Sequence, residues 1–368
     1  MKAVLSGGGT AGHINPALAL AEELGRRGWE VLFAGTPAGV EAKLVADAGI
    51  PFKGFAASGF NRKKPLSLIK GVATIQKSTG AAKRWFKEIE PDVVVGFGGY
   101  VCVPVGRAAE SLGIPVAVHE QNSVMGMANR YLARRAAAIC LTYEHAASAL
   151  DEGERRRVVL TGNPVRSQVL TATREAGRAM LGVPENARML LVTGGSLGAR
   201  HVNQAVMALK DELLSRPDLH IVHLTGRREF EAVKRDLALT DEQAARWQVI
   251  DYQDRMGDCM AAADVIVSRA GASSLAEISA LAVPALLVPF PAATEDHQTM
   301  NARAYVDAGC AYLVPDAEVE DPVFAERLLR LIDDASERER MRSAARAQNT
   351  SGAAAKLADA VIAAANAR

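Results

Sequence analysis

Short β-branched runs alternate with helical stretches along the whole chain: KAVLSG, EVLFAG, DVVVGFG, PVAVHEQ, AAICLT and RVVLTG, then MLLVTGG, IVHLTG, QVIDYQ, DVIVSRAG, PALLVPF and AYLVPD. Strands apolar on both faces and separated by helices predict an α/β protein whose parallel sheets are covered on both sides. The twelve runs divide into two groups of six, and the turn-forming segment Thr161-Gly162-Asn163-Pro164-Val165-Arg166 between them suits a hinge. Ligands in open α/β sheets bind beyond the carboxyl ends of the strands, so two such domains facing each other would make one cleft.

Length agrees with two domains, because 368 residues exceed the size at which single cores stop growing. Apolar residues at 49% and charged residues at 23% describe an ordinary globular composition. Cys102, Cys140, Cys259 and Cys310 lie far apart without a C-x-x-C pair, which suits a reducing compartment and neither a zinc site nor a disulfide framework. No signal-peptide pattern precedes the first strand, and no apolar run reaches the ~20 residues of a membrane span, so a cytoplasmic protein is expected. The net charge of +1 gives no nucleic-acid signal. It hides one basic segment, Asn61 to Glu90, with eight bases against two acids.

Candidate chemistry begins in the loop after the first strand, SGGGTAGHINPALALAEEL. Gly7, Gly9 and Gly12 fit G-x-G-x-x-G, a turn that glycines make before a helix whose free N–H groups face an anion. A dinucleotide site needs an acid at the end of the next strand, where Ala34, Gly35 and Thr36 stand instead. The glycines lead into no Gly-Lys-Ser/Thr, which removes the P-loop reading. His13 occupies the place after them, in the first turn of a helix. A weak repeat pairs Gly8-Gly9-Thr10-Ala11-Gly12 and His13-Ile14-Asn15 with Gly194-Gly195-Ser196-Leu197-Gly198 and His201-Val202-Asn203. Polar residues gather at other strand ends, in Gly96 to Tyr100, His119 to Asn122 and Ser268 to Glu277. In the last stretch, Ser273 or Ser274 caps a helix that receives a phosphate, or Glu277 closes a capping box.

Taken together, GGGTAGHINPALALA, GFGGYVCVP, HEQNSVMGMANR, TGNPVR, VTGGSLGARHVN, SRAGASSLAEI and HQTMNA make the chain similar to the MurG family of bacterial glycosyltransferases. The resemblance covers nearly the whole chain. It implies the GT-B fold: a Rossmann-like acceptor domain over 1–163, a Rossmann-like UDP-GlcNAc domain over 164–342, and a last helix over 343–368 packing back on the first. It implies an inverting transfer of N-acetylglucosamine from UDP-GlcNAc to the C4 hydroxyl of MurNAc in undecaprenyl-pyrophosphoryl-MurNAc-pentapeptide (lipid I), giving lipid II in peptidoglycan synthesis. Gly8, Gly9, Thr10, Gly98, Gly99 and Tyr100 would then hold the acceptor and its pyrophosphate. On the sugar-donor side it places Glu277 on the ribose hydroxyls, Arg166 and Ser196 on the phosphates, and Asn122, Gln298 and Asn203 on the sugar, with Thr10, Ala11, Gly12, Leu197, Gly198, Arg269 and Ser273 beside them. Some relatives carry paired glutamines where this chain has His297-Gln298, which leaves His297 without an assigned role. Partners in the cell-wall or division machinery are implied by the same family.

Displacement at the anomeric carbon needs a base for the acceptor hydroxyl and stabilisation of the departing UDP. His13 is the first choice of base, because a helix N-terminus disfavours an imidazolium. Glu120 is the rival base or the group that orients the site. Backbone N–H groups around Ser196, Leu197 and Gly198 and at the Ser273 helix start would stabilise UDP. The scheme requires no metal or other cofactor, and no D-x-D spacing occurs. Other classes compete: a nicotinamide oxidoreductase, a silent sugar-nucleotide sensor, and a glycolipid synthase using diacylglycerol.

The basic segment reads as a helix from Leu66 to Phe86. Leu68, Val72, Ile75, Ala82 and Phe86 form its inward face, and Lys70, Lys77 and Arg84 repeat every seven residues opposite. An ordinary solvated face is the plain reading. A lipid-linked acceptor favours docking on an anionic leaflet at the cytoplasmic face of the cell membrane, with Leu66, Ile69 and Trp85 inserting shallowly.

Overall fold

The computed structural model describes residues 1–57, 65–195, 199–348 and 352–367. Within them the chain divides into two compact units, Met1–Arg166 with Ser351–Arg368, and Ser167–Thr350.

The first unit holds seven parallel strands: β1 (Lys2–Ser6), β2 (Glu30–Gly35), β3 (Phe52–Gly54), β4 (Val93–Gly96), β5 (Val116–Glu120), β6 (Ala138–Leu141) and β7 (Val158–Leu160). Their order is β3-β2-β1-β4-β5-β6-β7. The second unit holds six: β8 (Arg188–Thr193), β9 (Leu219–Leu224), β10 (Trp247–Ile250), β11 (Val265–Ser268), β12 (Ala285–Leu287) and β13 (Ala311–Leu313), in the order β10-β9-β8-β11-β12-β13. Each order reverses beside the unit's first strand, so the topological switch points lie between β1 and β4 and between β8 and β11. β3 is the one strand missing from the twelve sequence runs, because Phe52-Lys53-Gly54 is too short to show a period.

Strand residues alternate between two cores, as the pleat requires. Val4, Val94, Val118 and Ile139 join one apolar layer, and Ala3, Leu5, Val93, Val95, Ala117 and Cys140 join the other. The second layer is closed by helix Ala11–Arg26 and by helix Ala353–Asn366, whose Leu357, Ala358 and Val361 are fully buried. The Arg27–Asp359 ion pair joins the two elements at the rim. In the second unit, Leu190, Val192 and Val267 face one layer while Met189, Leu191 and Ile266 face the other. Burying each such aliphatic side chain is worth about 1.5 to 3 kcal/mol, so doubly covered strands dominate the stability of both units.

Helix Pro65–Ile89 keeps Ala82 and Phe86 on its expected inward face and departs from it at Val72 and Trp85. Its buried line passes through Ser78, Ala82, Trp85 and Phe86, while Val72 is 46% exposed. Trp85 therefore does not face a membrane. It packs against Phe55 and Phe86 at ring-centroid distances of 5.6 and 5.4 Å, because the stripe is wide enough to take both aromatic neighbours inward. Lys77 and Arg84 are exposed, whereas the side chains of Leu66, Leu68, Ile69 and Lys70 lie outside the described residues.

Candidate active site

At the first switch point the loops leaving β1 and β4 meet. The Gly8 N–H donates to the Gly98 carbonyl at 3.3 Å. Gly99 takes φ +85°, and a Cβ there would stand 2.5 Å from the Gly8 oxygen, so only glycine allows this approach. Thr10, in extended conformation, precedes helix Ala11–Arg26 without a side-chain cap, and its carbonyl accepts the His13 N–H at 3.1 Å. His13 is the third residue of that helix, and its Nδ1 lies 2.9 Å from the Gly8 carbonyl. A carbonyl only accepts, so Nδ1 carries a proton, and in the neutral ring Nε2 is the acceptor nitrogen. That nitrogen lies over Gly98, where a Cβ would be 3.1 Å away. Tyr100, in the next turn, is 47% exposed.

Two strands along, β5 ends in Glu120, which is buried rather than solvated. One carboxylate oxygen accepts from the Asn122 N–H and Nδ2, both at 3.1 Å, and the other from the Gly126 N–H at 3.0 Å and Asn129 Nδ2 at 2.9 Å. Asn129 also donates to the His119 carbonyl at 2.9 Å. His119 itself is enclosed: Nε2–H donates to the Gly162 carbonyl at 3.0 Å, and Nδ1 accepts from Gln121 Nε2 at 3.0 Å. Burial pushes its pKa down to about 4, against the opposing pull of the Gly162 bond.

In the second unit, Ser196, Leu197 and Gly198 lie outside the described residues. Arg166 ends the long N-terminal stretch of the first unit. Several residues expected to contact the sugar donor have partners within the protein. Asn203 is buried inside the unit, donating to the Thr225 carbonyl at 3.1 Å and accepting from His223 Nε2 at 3.0 Å, so its amide holds the loop after β9 instead of reaching a sugar. Arg269 is also turned inward. Its Nη1 meets Asp316 at 2.5 Å and the Val288 and Pro289 carbonyls at 3.2 and 3.1 Å, and its guanidinium lies over Phe290. Asp316 is further held by His201 Nδ1 at 2.7 Å. Burial raises its pKa, but the bonds from His201 and Arg269 outweigh that and lower it overall.

Ser273 is not the cap of its helix. Helix Ala272–Ala280 starts from Gly271 without a side-chain cap, which puts Ser273 second in the first turn. The third position is Ser274, so Glu277 closes no capping box and is instead buried one turn further in. Gln298, in helix His297–Asp307, accepts the Ala270 and Phe290 N–H groups at 3.2 and 3.0 Å through Oε1. This pins the helix start to the ends of β11 and β12. Sequence reasoning missed Gln121, Asn129, Asp316 and Glu41. Asn129 could have been read from its place in HEQNSVMGMANR, whereas a glutamate in the first turn of a short helix, as Glu41 is, reads as solvated.

Two family models match the chain, the glycosyltransferase family 28 N-terminal domain over residues 3–141 and the C-terminal domain over 189–359. Curated proteins named UDP-N-acetylglucosamine--N-acetylmuramyl-(pentapeptide) pyrophosphoryl-undecaprenol N-acetylglucosamine transferase are similar from end to end. The one from Halothermothrix orenii is 38% identical over 93% of both chains, and the one from Halalkalibacterium halodurans is 39% identical over 97% of this chain and 98% of its own. The chain belongs to the MurG family. The crystal structure of Acinetobacter baumannii MurG superposes with a TM-score of 0.75 at 30% identity, covering 98% of this chain and 99% of that one, and the fold is GT-B. The calicheamicin glycosyltransferase CalG4, at 19% identity and TM-score 0.70, shares the fold alone. MurG membership therefore rests on sequence over the whole length, beyond what shape conveys.

Proposed function

We propose that His13 is the general base with which this chain, a UDP-GlcNAc-dependent N-acetylglucosaminyltransferase of peptidoglycan synthesis, converts lipid I to lipid II. The observation that carries this reading is the His13 Nδ1 bond to Gly8, which leaves Nε2 as the acceptor nitrogen beside the β1 and β4 loops. The acceptor sugar presents its C4 hydroxyl to Nε2, and its oxygen attacks the anomeric carbon of GlcNAc with inversion as the bond to UDP breaks. Glu120, with four hydrogen-bond donors on its two oxygens, orients the loop from Asn122 to Asn129 and takes no proton itself. The glycines Gly8, Gly9, Gly98 and Gly99 take the acceptor diphosphate with Thr10 and Tyr100. In the second unit Glu277 accepts the ribose hydroxyls, and the start of helix Ala272–Ala280 favours the negative charge of departing UDP.

Radiolabelled transfer from UDP-GlcNAc to a lipid I analogue tests the reading, with UDP-GalNAc as the control sugar donor. Labelled lipid II from the first and little from the second is expected. Equal transfer from both, or none from either, would overturn it.

The chain works as a peripheral enzyme on an anionic leaflet, since its acceptor is lipid-linked and no described helix is long and apolar enough to cross a membrane. Exposed Lys77 and Arg84 support this, at about 1 kcal/mol per base near the surface. Changing Lys70, Lys77 and Arg84 together to Glu should weaken binding to anionic vesicles and leave turnover of a water-soluble acceptor analogue nearly unchanged. Equal vesicle binding by both proteins at low salt would make the basic face an ordinary solvated surface.

A further inference from the structure

Behind the glycine loop of the first unit lies a carboxylate that the reaction scheme does not use. Glu41, on helix Val40–Asp47, is fully buried. Its Oε1 accepts the Thr36 N–H at 2.9 Å and the Thr36 hydroxyl, which fixes the side chain to the end of β2. Its Oε2 accepts the Gly9 N–H at 3.4 Å, a long bond compared with the others. The surroundings are shaped to admit it. A Cβ on Gly8 would stand 2.6 Å from Oε1, one on Gly35 would stand 2.7 Å from Glu41 Cγ, and one on Gly39 would stand 2.2 Å from Oε2. Two segments, the loop after β1 and the turn from β2 into helix Val40–Asp47, thus give up side chains around one carboxylate. Burying a charged group without need is costly, so its retention calls for a reason beyond packing.

We infer that Glu41 is a positioning residue for the acceptor: its carboxylate holds the Gly9 N–H in the free enzyme and yields that N–H to the acceptor's diphosphate. This rests on the reading that the Gly8–Thr10 loop receives the acceptor. Gly9 has φ +89° and nothing within 4 Å of an added Cβ, so its N–H is set by backbone conformation and by Glu41 rather than by neighbouring side chains. An internal anion keeps the loop in the shape that a bound anion requires, so the loop need not be ordered again on binding. The short, doubly anchored side on Thr36 keeps the carboxylate in place, and the long bond to Gly9 is the one that can be exchanged. No bond is made or broken covalently in this exchange.

The test is steady-state kinetics of Glu41→Gln with UDP-GlcNAc and a short-chain, water-soluble lipid I analogue. A Gln amide can accept from Thr36 through Oε1 but then turns N–H groups toward the Gly9 N–H, so the loop loses its hold. KM for the acceptor analogue should rise about tenfold, with kcat and KM for UDP-GlcNAc within about twofold of wild type. A merely structural role would lower the fraction of active enzyme and leave both KM values alone. Thr36→Val, which removes the hydroxyl anchor without changing size, should shift acceptor KM in the same direction by about threefold, and carries the test where Glu41→Gln does not fold. Unchanged acceptor KM in both variants, or an equal rise in both KM values, would overturn the inference. Gly9→Ala separates this failure from that of the underlying reading. If Gly9→Ala raises acceptor KM while the two other variants do not, only the role of Glu41 falls, and if Gly9→Ala leaves acceptor KM unchanged, the loop does not hold the acceptor and both fall.

Discussion

The two units begin with the same device and finish it differently. Each places a glycine loop and a histidine-bearing helix after its first strand, at the point where strand order reverses. In the first unit, His13 Nδ1 donates to the backbone carbonyl of Gly8. In the second, His201 Nδ1 is taken by Asp316, which is itself gripped by Arg269. The asparagines diverge as well, since Asn203 is sealed under His223 while Asn15 stays half-buried. A repeat inherited in sequence is thus no guide to chemistry until the partner of each side chain is known. Nδ1 is the engaged nitrogen in both rings, with a backbone carbonyl as partner in one and an arginine-held carboxylate in the other.

The sharpest way to break this comparison is to remove each histidine. His13→Ala should lower kcat by about 100- to 10,000-fold with a much smaller effect on UDP binding, and His201→Ala by less than about fivefold. Similar losses in the two would restore functional symmetry to the repeat. Should Glu120→Ala abolish turnover while His13→Ala keeps near-normal kcat, the base and the orienting group would exchange places.

A second measurement concerns Glu277, buried on helix Ala272–Ala280 of the second unit. Its removal in Glu277→Ala should weaken UDP-GlcNAc binding by about 1.5 to 3 kcal/mol in calorimetry, the cost of losing charge-assisted bonds to the ribose. Unchanged affinity in the folded variant would leave the buried carboxylate a structural group.

The smallest effect compares the units through acid. Burial lowers the pKa of His119 to about 4 and that of His223 to about 3. Both rings are neutral in the folded state, while the unfolded chain takes up a proton near the ordinary value of about 6.5. The contribution to stability is therefore full above that pH and is lost as pH falls toward each folded-state pKa. Between pH 6.5 and 5 the loss should be about 2 kcal/mol for each unit, read from urea unfolding at the two pH values. His119→Gln should flatten that slope in the first unit only. An unchanged acid slope would place the proton uptake on other groups.

The sheets were legible because every long strand is apolar on both faces and ends in glycine or a polar cluster, as in Val93 to Gly99. β3 escaped because three residues carry no period. The membership of the site was legible in part. His13 stood out as a histidine where a lysine or serine would serve a nucleotide, and Glu120 as the acid closing an apolar strand. What sequence could not convey was direction. Asn203, Arg269 and Trp85 have the right residue types at the right places, yet their side chains turn inward, because burial and partners such as Thr225, Asp316 and Phe55 are decided by segments far off in the chain. Glu41 was invisible for the converse reason, its setting being made of side chains that three glycines lack.

The return of helix Ala353–Asn366 to the first unit has a consequence for how the protein is made. Its Leu357, Ala358, Val361, Ala364 and Ala365 complete an apolar layer whose other buried members all precede Leu141 in the chain. During synthesis the seven strands leave the ribosome before the second unit, but the cover for helix Ala11–Arg26 leaves it after the whole of that unit. The unit translated earlier is therefore the later of the two to close, and until that helix emerges it presents an oily seam of the kind that chaperones hold.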